Sequence, residues 1–261
     1  RNISSLDDHH KLQQDLDSLQ NWANTWGMKF NAAKCYIMSI HRKKQPSTFK
    51  YSLDNHILEQ VTENPYLGVM ISDNLKWSTH ISKITNRANS ILGFIKRNLK
   101  HSLPSFKETA YISLVRSILD YSSTVWDPYH QKDIYKLESV QRRAARFVKN
   151  DYSRTSSVSE MMKSLKWKPL EHRRKEQRLV LLYKILNDLV ALPTEDLNLC
   201  HNLRPQRTSN SKSLKIITCN TDIFNNSFVP RTVKDWNSLP DSCVCAKNII
   251  DFKSALTAHR D

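Results

Sequence analysis

From Ser78 to Asn187 apolar residues recur at three- and four-residue intervals through five successive stretches, a period that suits α-helices burying one face. Ile81, Ile84, Ala88, Ile91, Leu92, Ile95 and Leu99 define the first, with Ser78 placed to cap it. A second runs from Pro104 to Leu119 with Phe106, Ala110, Tyr111, Leu114, Val115 and Ile118 inward. Leu137, Val140, Ala144, Phe147 and Val148 give a third between Asp133 and Lys149, and Ser157 to Leu165 and Leu170 to Asn187 supply two more. A helical bundle is the expected outcome.

The residues before that bundle follow another rule. Leu12, Leu16, Leu19, Ala23 and Trp26 mark one helix closed by Gly27, where a left-handed cap belongs. After it, Phe30 and Cys35 to Ile40 are β-prone and stop at His41-Arg42-Lys43-Lys44-Gln45-Pro46. Phe49, Tyr51 and Leu53 alternate, Asp54-Asn55-His56 is turn chemistry, and Ile57 to Val61 and Tyr66 to Ile71 are further strands. The first 75 or so residues read as α+β. Beyond Pro193 the periodicity fades into short β-prone runs, Leu214 to Thr218 and Ser227 to Val229, and a last helix from Asn248 to Ala258. Boundaries fall near residues 76 and 192.

Composition removes several functions. Gly27, Gly68 and Gly93 are the only glycines in 261 residues and lie too far apart for a phosphate-cradling loop, which excludes P-loop and dinucleotide fingerprints. The longest apolar run, Leu179 to Tyr183, is far short of the ~20 residues of a membrane span, and residues 1 to 30 lack a signal peptide's apolar stretch, so an intracellular protein with no membrane partner is expected. Five cysteines at irregular spacing argue for reduced thiols; Cys243 with Cys245, and Cys200 with His201, lack the second pair that zinc needs.

Charge points toward polyphosphate. Forty Lys and Arg against 25 Asp and Glu leave +15. Between residues 130 and 178, 14 cations face 6 acids, over half of the surplus in under a fifth of the length. On a helical wheel Arg142, Arg146 and Lys149 lie opposite Leu137, Val140, Ala144 and Val148, with Arg143 beside them. Lys163, Lys166, Lys168, Arg173, Arg174, Lys175 and Arg178 continue the run around Trp167. A solvated face with Glu171 and Lys175 as an i,i+4 pair is the plain alternative. Local acids are too few to pair the rest, which favours contact with a phosphate backbone.

Two blocks, LQNWANTWGMKFNAAKCYIMSI (Leu19 to Ile40) and NPYLGVMISDNLKWSTHI (Asn64 to Ile81), resemble in their order the last two palm motifs of reverse transcriptases from non-LTR (LINE-type, jockey-like) retrotransposons. A third, Ser227 to Leu256, resembles that family's FxxR…WNxLP…FKxxL tail through Phe228, Arg231, Trp236, Asn237, Leu239, Pro240, Phe252 and Leu256, for which packing is expected. The resemblance implies three parts: the end of a palm (1–76), a basic helical thumb (77–192) and a mixed C-terminal extension (193–261). It implies a primer grip at Tyr66-Leu67-Gly68, where a glycine within an apolar strand marks a bulge or close approach. Lys34 matches a lysine near the incoming triphosphate, or is a solvent-facing lysine at a strand start. Trp22 and Trp26 are expected in the core.

In that family the aromatic-x-Asp-Asp catalytic hairpin lies just upstream of the position of Arg1. Asp7-Asp8 opens a helix instead, so no metal site is expected here and Mg²⁺ belongs to the complete polymerase. The expected function is that of a polymerase fragment holding an RNA or RNA–DNA template–primer duplex, with upstream palm and fingers as partners. The alternative is a degenerate or co-opted nucleic-acid-binding module.

Overall fold

The structure, a computed structural model, describes residues 2–41, 49–192, 197, 199–200 and 210–259. The strand-ending run 42–46, Pro193 and His201 lie outside the described residues. The chain divides into two compact units, Arg1–Lys76 and Trp77–Asp261.

In the first unit, α1 (Leu6–Thr25) opens on a capping box. Ser5 Oγ accepts from the Asp8 amide at 3.3 Å, and the Asp8 carboxylate accepts from the Ser4 and Ser5 amides at 2.9 Å. Those backbone donors hold Asp8 below the usual carboxylate range. The helix closes with Gly27 at φ +64, where Met28 N–H reaches Ala23 O and Gly27 N–H reaches Asn24 O, the two bonds of a Schellman end.

The strands are short. β1 (Tyr36–Ile37) pairs in parallel with β4 (Glu59–Gln60), while β2 (Ser52–Leu53) pairs antiparallel with β3 (His56–Ile57). A two-residue turn at Asp54 and Asn55, both at positive φ, joins β2 to β3. β5 (Glu63–Tyr66) and β6 (Val69–Ser72) form a second hairpin. The β1–β4 pair is thus parallel, while the β2–β3 and β5–β6 pairs are antiparallel.

α1 docks through its first half. The Gln13 amide donates to Ser52 O and accepts from Ser52 N–H, both at 3.0 Å, and His9 meets the Tyr51 hydroxyl. Tyr51, Leu53 and Leu58 form the core with Leu12, Leu16 and Phe30 against it. Trp22 and Trp26, expected inside, are instead 52% and 69% exposed, and Leu19 is exposed as well. The two-residue strands reach only the N-terminal turns of α1, so these three side chains stay uncovered among the described residues of this unit.

The second unit begins with α2 (Ser78–Asn98). Ser78 is its first helical residue and not its cap: the hydroxyl donates to Asp133 Oδ2 at 2.6 Å instead of accepting a free amide. α3 (Pro104–Ala110), a π-helical segment (Tyr111–Arg116) and α4 (Ser117–Asp120) run on as one rod. The i→i+5 bonding of the middle widens the turn, so residues four apart stay in line. Lys107, Tyr111, Val115 and Leu119 are therefore the buried stripe. Phe106 and Leu114, placed inward by a 3.6-residue period, face solvent.

α5 (Ser123–Trp126), α6 (Gln131–Lys149), α7 (Val158–Ser164) and α8 (Leu170–Leu186) follow. α6 buries the expected Leu137, Val140, Ala144, Phe147 and Val148. Helix ends here show how a chain so poor in glycine turns: Asn150, Lys166 and Asp188 take the left-handed position after α6, α7 and α8. Each is followed by a residue whose amide bonds five residues back.

α9 (Asp222–Asn225), α10 (Phe228–Asn237), α11 (Asp241–Val244) and α12 (Ile249–Ala258) complete the unit. Ser227 to Val229, expected as strand, instead starts α10. Pro230 sits in its first turn, where a missing N–H costs nothing. Leu179, Leu182 and Tyr183 of α8 share one core with Leu214, Val233, Trp236, Leu239, Phe252 and Leu256, within the unit Trp77–Asp261. The Trp236 indole donates to Lys212 O, and Asn237 exchanges both backbone bonds with Leu214 at 2.9 and 2.7 Å. All five cysteines are free thiols, and no described helix is long and apolar enough to cross a membrane.

One buried carboxylate ties these helices together. Asp127, just past α5, accepts from Arg174 Nε at 2.7 Å and Arg178 Nε at 2.8 Å, and lies 3.2 Å from Arg231 Nη1 of α10. Arg231 also donates to the carbonyls of Asp127 and Pro128, and Arg178 extends to Thr232 and Asp235. Arg174 is fully buried and Arg178 nearly so. Removing one partner of such a pair costs about 3–5 kcal/mol because the other charges stay buried. Asp127→Asn is expected to lower the unfolding free energy by about that much in urea titration, while Arg142→Gln, on the open face of α6, stays within about 0.5 kcal/mol.

His80 of α2 is buried edge-on to Trp126 at 5.2 Å. Burial, helped by the Lys83 charge, pushes its pKa down to about 4. Above roughly pH 6.5 the ring is neutral in both states and its contribution is complete. As pH falls below that, the unfolded chain takes up the proton first, and stability declines until the folded pKa is passed. The expected decline between pH 7 and pH 4.5 is on the order of 2 kcal/mol, and His80→Phe should remove that part of the pH dependence in calorimetry.

Candidate nucleic-acid interface

The structure sorts the cationic run into three groups. Arg174 and Arg178 are inside, bound to Asp127, and cannot meet a phosphate. Arg173 is held by Asp120 at 2.6 Å, Lys168 by Glu176 at 3.0 Å, and Lys175 by Asp235 at 2.7 Å, not by the expected Glu171. Asp120, Asp127 and Asp235 lie 47 to 57 residues from the arginines of this run that they bind, so a local count of acids misses them. The second group bonds backbone: Arg146 reaches Ser153 O at 2.8 Å and shapes the loop after α6, and Arg143 donates to Ser139 O at 3.0 Å. Arg142, Lys149, Lys163 and Lys166 remain exposed, with neither side-chain hydrogen bond nor ion pair among the described residues.

A stronger feature lies on α2. Residues 74 to 107 contain no Asp or Glu but hold Lys76, Lys83, Arg87, Lys96, Arg97, Lys100 and Lys107. On α2, Lys83, Arg87, Ser90, Phe94 and Arg97 recur at helical spacing and form one stripe, which Lys100 continues. Lys83, Arg87 and Arg97 have no ion pair among the described residues. The acid-free stretch was visible in the sequence, but a search for dense cations passes over it.

The two helices present their cations together. Ser78 bonds Asp133 and Ser82 bonds Lys136, so α2 and α6 lie side by side in the same direction. At their C-terminal ends Lys96 sits 5.7 Å over the Tyr152 ring, its ammonium held below the usual lysine range first by burial and then by Arg143. That mutual repulsion places Lys96 of α2 and Arg143 of α6 within reach of one another's charge. A counter-anion placed there relieves it, and phosphate oxygens suit both guanidinium and ammonium donors.

In the first unit, Tyr66-Leu67-Gly68 lies at a hairpin tip and not within a strand. Tyr66 pairs with Val69, and Leu67 and Gly68 occupy the two turn positions at φ +47 and +84. Gly68 is there because the turn requires positive φ at both positions. Leu67 adopts the same conformation against its Cβ, and its side chain is 74% exposed. Lys34 is exposed at the end of a 3-10 turn (Ala32–Lys34), ahead of β1.

Carboxylates do not converge. Asp8 is committed to the α1 cap and Asp7 to Lys11, and among the described residues no group of His, Cys, Asp or Glu could hold a metal ion. The described residues do not fit the Mg²⁺ of nucleotide addition, which needs carboxylates meeting at one point.

No family model matches the chain, and no solved structure matches it. Among curated proteins it is similar to the probable RNA-directed DNA polymerase from transposon BS of Drosophila melanogaster, 24% identical over 145 residues, covering 52% of this chain and 16% of that protein. It is also similar to the RNA-directed DNA polymerases from mobile element jockey. The Drosophila melanogaster protein is 27% identical over 159 residues, covering 58% of this chain and 17% of the relative. That of Drosophila funebris is 24% identical over 153 residues, covering 56% and 16%. The match thus spans about a sixth of each relative's length. The motif blocks and these similarities point the same way, to a resemblance with the RNA-directed DNA polymerases of jockey-like non-LTR retrotransposons.

Proposed function

We propose that this chain holds an RNA or RNA–DNA template–primer duplex for a retrotransposon RNA-directed DNA polymerase, and that it contributes no catalytic metal site of its own. The single observation that supports this reading most is the acid-free α2 stripe beside the cations of α6. Unpaired cations at helical spacing match a phosphate backbone, and such contacts position a duplex without reading its sequence. The exposed Leu67-Gly68 tip, with Tyr66 beside it, is the proposed contact to a primer end, and Lys34 a proposed accessory cation. Lys163 and Lys166 extend the proposed cationic surface onto α7 and the turn after it.

Binding is expected to be sequence-tolerant and to weaken steeply with salt, because condensed counterions are released. Replacing Lys83, Arg87, Arg97, Arg142 and Arg143 with Gln should leave the melting temperature nearly unchanged and lower affinity for every hybrid duplex tested. The slope of log K against log salt, read by fluorescence anisotropy, should become shallower by about one unit for each phosphate that is no longer neutralised. A folded variant with full affinity and an unchanged slope would overturn the assignment.

In primer extension on primed RNA with Mg²⁺ or Mn²⁺, the chain should incorporate no nucleotide, since its paired carboxylates are committed to helix capping and a surface ion pair. Heparin-controlled incorporation by the purified chain would refute that.

A further inference from the structure

The loop between α6 and α7 holds an aromatic ring in the open. Asn150 takes the left-handed position, and Asp151 N–H donates to Arg146 O at 3.1 Å. The Asp151 carboxylate accepts from Ser153 N–H at 2.9 Å and from the Ser156 hydroxyl, which commits its charge to the loop. Arg146 Nη1 donates to Ser153 O at 2.8 Å, and Ser157 Oγ caps α7. The residues on both sides of Tyr152 are therefore tied down, while its own side chain is 56% exposed. The Lys96 ammonium of α2 lies 5.7 Å from the centre of its ring, within the range of a cation–π contact.

A single exposed tyrosine is ordinary surface. Tyr152 differs in what surrounds it. α2 and α6 run in the same direction and it stands where both end, and their last turns carry Lys96, Arg97, Arg146 and Lys149. Arg143 is close enough for its charge to act on Lys96. It bonds Ser139 through Nε and Nη2, and its Nη1 has no partner among the described residues. α2 supplies no acid to offset these cations.

A ligand that satisfies both features carries anionic oxygens and a flat π-face, which is the chemistry of a nucleotide. Inside a duplex each base is covered on both faces by its neighbours. A protein ring therefore reaches a base face only where the duplex ends or a strand is unpaired. Such stacking tolerates any sequence, because every base has a π-face. A tyrosine has two side-chain torsions, and on a braced loop it gives up little freedom when it stacks.

We propose that Tyr152 is a stacking platform for an unpaired base at the end of the duplex, with Lys96 and Arg143 holding the phosphate beside it, a site that rests on the duplex-holding function proposed above. The two parts of the surface then divide the work. The α2 stripe from Lys83 to Arg97 extends about 21 Å along its helix and meets phosphates whatever the bases do. Tyr152, past the end of that stripe, distinguishes a strand that continues with a free base from one that stops.

The full chain is titrated by fluorescence anisotropy with three hybrid duplexes of identical paired sequence: one blunt, one with a short unpaired overhang, and one whose overhang has the same phosphates but abasic sugars. The natural overhang should bind on the order of tenfold tighter than the abasic one, for purine and pyrimidine overhangs alike. Tyr152→Ala should abolish that difference while leaving affinity for the blunt and abasic duplexes unchanged. Tyr152→Phe, which keeps the ring, should retain it, and both variants should melt with the unmodified chain. Equal binding of natural and abasic overhangs by the unmodified chain overturns the site on a measurement that needs no variant. So does a preference that survives Tyr152→Ala, or a Tyr152→Ala chain that loses affinity equally for all three duplexes. Failure of the unmodified chain to bind any of the three overturns the duplex-holding function and this site with it, whereas tight binding indifferent to the overhang removes the site alone.

Discussion

The second unit depends on a single carboxylate. Asp127 is buried among Arg174, Arg178 and Arg231, and these four side chains join the turn after α5 to the middle of α8 and the start of α10. Three guanidiniums around one carboxylate leave an excess of positive charge, which Asp235 partly offsets by taking Arg178 on one oxygen and Lys175 on the other. Burial pulls the Arg231 guanidinium below its usual range and the Asp127 charge opposes this, the balance expected where desolvation and pairing compete. Geometry is what makes the arrangement tolerable. The Nε atoms of Arg174 and Arg178 each donate to a different oxygen of Asp127, and Arg231 satisfies the adjoining carbonyls as well.

That cluster also divides the cationic surface from the interior. The densest part of the basic run contains the residues the fold uses as internal clamps, and the cations left for a ligand stand on helices with fewer charges. α2 has no acid along its length, so its lysines and arginines have no neighbour on their own helix to neutralise them. Density of charge along a chain is therefore a poor guide to charge at its surface. The distance in sequence to the nearest unused acid is a better one.

The shortage of glycine has a related consequence. Left-handed positions still have to be filled where helices end, and Asn150, Lys166 and Asp188 fill them at a conformational cost that the backbone bonds of the cap offset. The α3–α4 rod shows a second local adjustment of the backbone. Its turn is widened within the helix, and that shift exchanges which apolar residues are buried and which are left facing solvent.

Helices with a strict apolar period were legible from residue order alone. α6 buries the residues its spacing assigns and α2 buries five of its seven, with Ile91 and Leu99 half-buried; the cap at Gly27 follows from its glycine, and the C-terminal helix after Asn248 follows from its cap and periodicity. Residue order in the motif blocks also sufficed to indicate the resemblance to retrotransposon polymerases, because that information is linear. Folding in three dimensions decided whatever rests on partners distant in the chain: that Arg174 and Arg178 are core while Arg142 is surface, and that Ser78 bonds Asp133 instead of capping. It also decided that Trp22 and Trp26 stand in solvent and that Gly68 forms a turn. A local pattern reports which face of an element is apolar; which charge meets which, and how far a neighbouring strand reaches, is settled only when residues some fifty positions apart are brought within hydrogen-bond distance.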